Sequence, residues 1–115
     1  MSAQAVRRIC MGLPAVTEKL HWGEHLVFKV GGKMFAVANL DGEGNPLSFK
    51  CSAEEFSELI ELGGIIPAPY LARAHWVALE SRGALPAKEL GARLRRAYEL
   101  VRDRLPLKVR AGIKG

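Results

Sequence analysis

The feature that most constrains this chain is a pair of apolar runs separated by two glycines. Leu26-Val27-Phe28-Lys29-Val30 precedes Gly31-Gly32, and Lys33-Met34-Phe35-Ala36-Val37-Ala38 follows. A two-residue hairpin turn needs positive φ at its centre, which glycine adopts without a Cβ penalty. The segment therefore reads as a β-hairpin, the nucleus of an antiparallel sheet. The register of such a turn sets Phe28 opposite Phe35 and Leu26 opposite Val37, on the face expected to form the core. Lys29 with Met34 and Val27 with Ala36 then share the other face. That face is only half polar, so part of it is expected to be covered.

The rest of the chain fits around this hairpin. Ser2 is a suitable N-cap for a helix over Ala3 to Met11, with Val6, Ile9, Cys10 and Leu13 at helical spacing, stopped by Gly12 and Pro14. Thr17 to Trp22 is read as a first strand, Asp41 to Pro46 as a turn and Leu47 to Cys51 as a further strand. Ser52 and Glu55 form a capping-box signature ahead of a helix with Phe56, Leu59, Ile60 and Leu62 on its apolar face, ended by Gly63-Gly64. Ile65 to Arg73, with Pro67 and Pro69, is read as an irregular connection. His75 to Glu80 is read as a last strand, with Trp76, Ala78 and Glu80 facing one way. Pro86 opens a long helix to about Leu105, which Pro106 stops. Leu90, Leu94, Ala97, Val101 and Leu105 form its buried stripe, with Tyr98 on the stripe's edge. Residues 107–115 are expected to be a frayed basic tail.

The expected class is α+β: an antiparallel sheet of about five strands with helices on one face, in the order helix, strands, helix, strand, helix. A chain of 115 residues with 49% apolar and 25% charged residues suits one domain, residues 1–115, with a core over about 3–106.

Several chemistries are disfavoured. No run of about 18 apolar residues suggests a membrane span, and no apolar stretch follows Arg7 and Arg8 as in a signal peptide. The two cysteines, Cys10 and Cys51, are far apart and outside any CxxC pattern, so reduced, buried thiols in a cytoplasmic protein are expected. His21-Trp22-Gly23-Glu24-His25 matches a zinc pattern that requires a helix. Gly23 interrupts the segment, and on one extended strand the two imidazoles would stand about 13 Å apart. Cys51 with His75 could be imagined as nucleophile and base, but neither sits in a nucleophile motif. Neither glycine pair belongs to a phosphate loop. No catalytic residue, metal ligand or cofactor is assigned.

The charge is uneven. The net +5 divides into +3 for residues 1–40, −5 for 41–80 and +7 for 81–115. Lys88, Arg95 and Arg102 recur every seven residues along one flank of the last helix. Arg93 and Arg104 lie on the other flank and Arg96 near the outer face, and Lys108, Arg110 and Lys114 follow. Guanidinium groups suit phosphate because two parallel N–H groups match two oxygens. Glu89 and Glu99, however, sit at intrahelical pairing distances from these arginines, as on an ordinary solvated face.

Taken together, several segments resemble a known family. These are Leu13-Pro14, Trp22-Gly23, the hairpin Val27 to Ala36, Phe49-Lys50-Cys51, Tyr70 followed by His75-Trp76, Leu85-Pro86, and Tyr98-Glu99-Leu100-Val101. In this order, over about residues 5 to 106, the chain resembles the MmcQ/YjbR-like family of small bacterial proteins. The resemblance implies a fold similar to CyaY, the bacterial frataxin, and it implies DNA binding. It brings no catalytic residues. Leu71-Ala72-Arg73-Ala74 stands where many relatives carry a more polar stretch, leaving Arg73 as its basic group. Frataxin's iron role does not transfer, because the first helix holds Arg7 and Arg8 and no acid.

The expected function is a non-enzymatic binding module whose partner is DNA or another polyanion, with no membrane contact, acting as a monomer or weak homodimer. Its candidate nucleic-acid contacts are Lys88, Arg95, Arg96, Arg102, Lys108 and Arg110, extended by Lys29 and Lys33 on the hairpin. The alternative is a small-ligand or protein-interaction domain that uses the open sheet face and the Pro67 to Trp76 connection. Its candidate contacts are Lys50, Tyr70, Arg73, His75 and Trp76.

Overall fold

The computed structural model describes residues 1–21, 23–41 and 44–113. The parts of the expected first strand, turn and tail at Trp22, Gly42, Glu43, Lys114 and Gly115 lie outside them. Helix α1 (Ala3–Met11) leads into strands β1 (Val16–His21), β2 (His25–Val30), β3 (Lys33–Asn39) and β4 (Leu47–Lys50). Helix α2 (Ala53–Leu59), strand β5 (Ile65–Pro67), a 3-10 turn at Ala72–Ala74, strand β6 (Trp76–Leu79) and helices α3 (Ala87–Arg102) and α4 (Leu107–Ala111) follow. The six strands form one sheet in the order β1-β2-β3-β4-β6-β5, and each pair is antiparallel.

The α+β class and the helical face are as expected, with one strand more. The extra strand, β5, pairs Ile65 with Leu79 and Pro67 with Val77 at the sheet edge. An edge position tolerates Pro67 because its missing N–H is not needed by a further neighbour. Three residues, one of them a proline, carry too little periodicity to read as a strand.

The hairpin turn has Gly31 at φ 57° and Gly32 at φ 80°, but its register differs from the expectation. Lys29 faces Met34 as predicted, whereas Phe28 faces Ala36 and Val27 faces Val37, because the pairing shifts by one residue between Phe28 and Lys29. This is a β-bulge that leaves Phe35 unpaired in the ladder. Such a bulge turns two consecutive side chains towards one face. Phe35 and Ala36 both enter the main core, and Val37 moves to the opposite face with Met34.

Both sides of the sheet are covered to different depths. On the helical side Phe28, Phe35, Phe49, Val77 and Leu79 meet Val6 and Cys10 of α1, Leu59 of α2, and Leu90, Leu94, Ala97 and Tyr98 of α3. Tyr98 is a core residue rather than an edge one. Its ring meets Phe35 edge-on at 5.6 Å, and its hydroxyl donates to the Pro14 carbonyl at 2.7 Å. A buried phenol needs such a partner, and this one ties α3 to the turn after α1. On the opposite side Ala68, Trp76 and Ala78 form a smaller cluster with Met34, Val37, Ile66 and Leu71. The half-polar face is thus partly covered by the chain running from β5 towards the 3-10 turn.

Two local expectations change. His21 and His25 are not spread along one strand: Gly23, at φ 79°, helps close a tight turn, and the two histidines are paired residues of β1 and β2. Among the described residues no group of three or more His, Cys, Asp or Glu side chains is placed to hold a metal ion. At the other end α3 stops at Arg102 instead of Leu105, and the expected frayed segment contains α4, begun after Pro106. Among the described residues no helix is long and apolar enough to cross a membrane.

Candidate anion-binding cleft

The site lies where β3, β4, the 3-10 turn and the end of α3 converge. Gly31 makes the convergence possible. A Cβ there would stand 2.6 Å from a Leu105 methyl, so the hairpin turn and the residues after α3 approach as closely as a bare backbone allows. Lys33, just past the turn, and Arg104, just before Leu105, thereby line the same cleft.

The 3-10 turn brings the third cation. Tyr70 (φ 65°) and His75 (φ 60°) bracket it, two of the three non-glycine residues with positive φ among the described residues. Left-handed backbone is costly for residues with a side chain and persists where surrounding contacts enforce it. Here the Ala68 N–H donates to the Trp76 carbonyl at 2.9 Å, the Trp76 N–H to Leu71 at 3.2 Å, and the His75 N–H to Ala72 at 3.0 Å. The loop is thereby pinned, with Arg73 at its crest. Lys50, at the end of β4 opposite Trp76, donates through Nζ to the Ala74 carbonyl.

The resulting cleft is about 480 Å³. Lys33, Lys50, Arg73 and Arg104 line it with His75 and Trp76, over an apolar floor that includes Met34, Leu100 and Pro106, and among the described residues no acidic side chain lines it. Glu54 lines the adjoining recess, which shares Lys50, His75 and Arg104. Burial, and then the positive charge of Arg104, lower the Lys50 pKa from its ordinary value against an opposing influence of Cys51. Cations held together without a counter-charge repel, and an anion entering between them relieves that repulsion.

The same corner disposes of the cysteine–histidine pair. The Cys51 thiol donates to the His75 backbone carbonyl at 3.2 Å, and burial is the main cause that pushes it up to about 11. The His75 ring instead lies edge-on to Phe56 at 5.6 Å. A neutral thiol bonded to a carbonyl is a packed side chain, not an activated nucleophile.

The family model of YjbR matches residues 11–100, which include the hairpin, the pinned loop and most of α3. The chain belongs to the YjbR family. A crystal structure of a Deinococcus radiodurans protein with a DUF419 domain is similar to it, with a TM-score of 0.84 and 32% identity over 96% of this chain and 86% of that one. A Pseudomonas syringae protein shares the fold at a TM-score of 0.73 and 20% identity, over 88% of this chain and 99% of that one. No curated protein matches.

In this YjbR chain the two sets of candidate residues are redistributed. Lys50, Arg73, His75 and Trp76, proposed for a small ligand, meet Lys33, proposed for nucleic acid, in one cleft. Tyr70 stands outside it, beside a second cavity. Lys29 is half-buried in β2 and does not line the cleft. Arg104, absent from both sets, completes it. Its place near the end of the expected helix gave no signal, because what brings it to Lys33 is the remote contact of Leu105 with Gly31.

The α3 cations fare differently. Arg93 pairs with Glu55 at 2.8 Å and Glu89 at 3.3 Å. Arg96 lies 3.8 Å from Glu55 and 4.0 Å from Glu99. Arg102 pairs with Asp103 at 3.1 Å and covers the Tyr98 ring at 5.5 Å. Arg110 of α4 donates to the Asp103 carbonyl at 2.9 Å. Lys88, Arg95 and Lys108 are exposed and make no ion pair among the described residues.

Proposed function

We propose that this chain is a non-enzymatic nucleic-acid-binding module that grips backbone phosphates in the cleft of Lys33, Lys50, Arg73 and Arg104. The observation that carries this reading is four cations from β3, β4, the 3-10 turn and the turn after α3 around one cleft, with no acid among the described residues of its lining. Guanidinium and ammonium groups donate several hydrogen bonds each and match phosphate oxygens. A polymer suits the surroundings better than a small anion. α4 begins immediately after Pro106 at the cleft's edge and carries Lys108 and Arg110, so positive charge continues past the cleft. The α3 flank of Lys88, Arg95 and Arg102 contributes long-range attraction rather than the grip.

The test is a fluorescence-anisotropy titration of a labelled oligonucleotide across a salt series. Four phosphate contacts on a single strand give a log–log slope of about −3. Absence of binding at low salt, or affinity indifferent to salt, would sink the proposal.

A further inference from the structure

The loop that pins Arg73 also presents a feature that phosphate binding does not use. Tyr70 is fully exposed although its backbone is left-handed at φ 65°, a conformation that a bulky residue rarely adopts without a functional or structural reason. Its side chain makes no hydrogen bond or ring contact among the described residues. The loop is nevertheless held by its backbone hydrogen bonds to Trp76 and Leu71. A rigid loop thus holds an aromatic ring out in water.

The ring overhangs a second cavity of about 480 Å³ on the lightly covered side of the sheet, lined by Met34, Val37, Pro69 and Leu71 among others. Met34 lines the phosphate cleft as well, so the two are contiguous. Arg73 follows Tyr70 by three residues, which limits their Cα separation to about 11 Å. An apolar ledge with a free aromatic ring therefore adjoins a row of cations.

Resting on the nucleic-acid reading above, we infer that the partner is single-stranded, with an unpaired base stacked on Tyr70 while neighbouring phosphates occupy the cleft. Groove cations that follow a backbone beside aromatic rings that take its bases are how single strands are held without sequence preference. A duplex keeps its base faces inside the stack and offers this ring only edges and sugars.

Three labelled probes test it by anisotropy: an oligodeoxythymidine strand, an abasic strand of equal length and a duplex of that length. The thymidine strand is expected to bind at least about 5-fold tighter than the abasic one. Tyr70→Ala removes that advantage and leaves abasic affinity unchanged, whereas Tyr70→Phe keeps it. The exposed position lets both variants fold, which an unchanged melting temperature verifies. Equal affinity for the thymidine and abasic strands, an equal loss on both in Tyr70→Ala, or tighter binding of the duplex overturns the single-strand inference and leaves the phosphate grip standing. If none of the three probes binds at low salt, the phosphate grip fails and the inference falls with it.

Discussion

Two regions of this molecule are basic, and they are basic in different ways. Helix α3 displays Lys88, Arg93, Arg95, Arg96 and Arg102 within 16 residues, so its charge is obvious along the chain. Most of that charge is locally answered: Arg93 and Arg96 share Glu55, and Arg102 has Asp103. The cleft draws Lys33, Lys50, Arg73 and Arg104 from four segments scattered through the sequence, and among the described residues no acid lines it. Charge density along a sequence therefore measures how many cations a segment carries. The potential a partner meets depends on how many remain uncompensated at one place. Arg93 and Arg96 tie α3 to Glu55 of α2, whereas the four cations of the cleft make no ion pair among the described residues, Lys50 donating only to a carbonyl.

The comparison breaks most directly by charge reversal. Lys50→Glu combined with Arg104→Glu is expected to weaken oligonucleotide binding by on the order of 100-fold or more, since each charge-assisted contact is worth about 1.5–3 kcal/mol. Lys88→Glu with Arg95→Glu changes the net charge equally and should cost less than about 3-fold, as screened long-range attraction does. Anisotropy at one fixed salt concentration measures both. Comparable losses in the two variants would erase the distinction between the regions.

A second test strikes the contact that assembles the cleft. Gly31→Val places a branched side chain in the left-handed region against Leu105, and should cost about 3 kcal/mol of stability from backbone strain and overpacking together. Gly32→Val is the control. Its φ is also positive at 80°, but nothing lies within 4 Å of its Cβ position, so it should cost only the backbone part, about 1–2 kcal/mol. Urea denaturation reads the difference. Equal costs would mean that Leu105 yields freely, and that Gly31 does not hold Arg104 beside Lys33.

What was legible in the sequence follows the same division between local and remote. The capping box of Ser52 and Glu55 was readable because both partners lie three residues apart, and both of its hydrogen bonds are present at 3.1 Å. The Gly31-Gly32 turn and the apolar stripe of α3 were readable for the same reason. The hairpin register holds next to the turn and departs by one residue from Phe28 onwards, because a bulge has no local signature beyond the pattern it disrupts. Helical periodicity sets Tyr98 at the stripe's edge, because its contacts with Phe35 and with the Pro14 carbonyl lie on remote segments that no periodicity can report. Of the site, the sequence offered Lys33, Lys50, Arg73, His75 and Trp76 as separate suspicions under two functions. Their union, and the addition of Arg104, required the sheet order to bring β3, β4 and the loop before β6 to one corner.

The smallest expected effect concerns the acid that neutralises the helix. Burial raises the Glu55 carboxyl, but the Ser52 backbone N–H and the Arg93 guanidinium outweigh it, so its pKa is lowered overall. A carboxylate with a lowered folded pKa stabilises the fold above its ordinary value, and that contribution is lost as the pH falls through the lowered one. Glu55→Gln keeps the capping-box geometry and removes the charge. It should cost about 1 kcal/mol at neutral pH, and the gap from the unsubstituted protein should close on the acid side of the carboxylate range, as denaturation at a series of pH values would reveal. The same variant leaves Arg96 only Glu99 and Arg93 only Glu89, making the α3 surface more positive without touching the cleft. If the cleft is the grip, oligonucleotide affinity rises by less than about 3-fold, a screened long-range effect. A gain approaching the loss caused by reversing Lys50 and Arg104 would mean that α3 binds phosphate whenever its acids permit, and that its neutralisation by Glu55, rather than the geometry of the cleft, is what sets affinity.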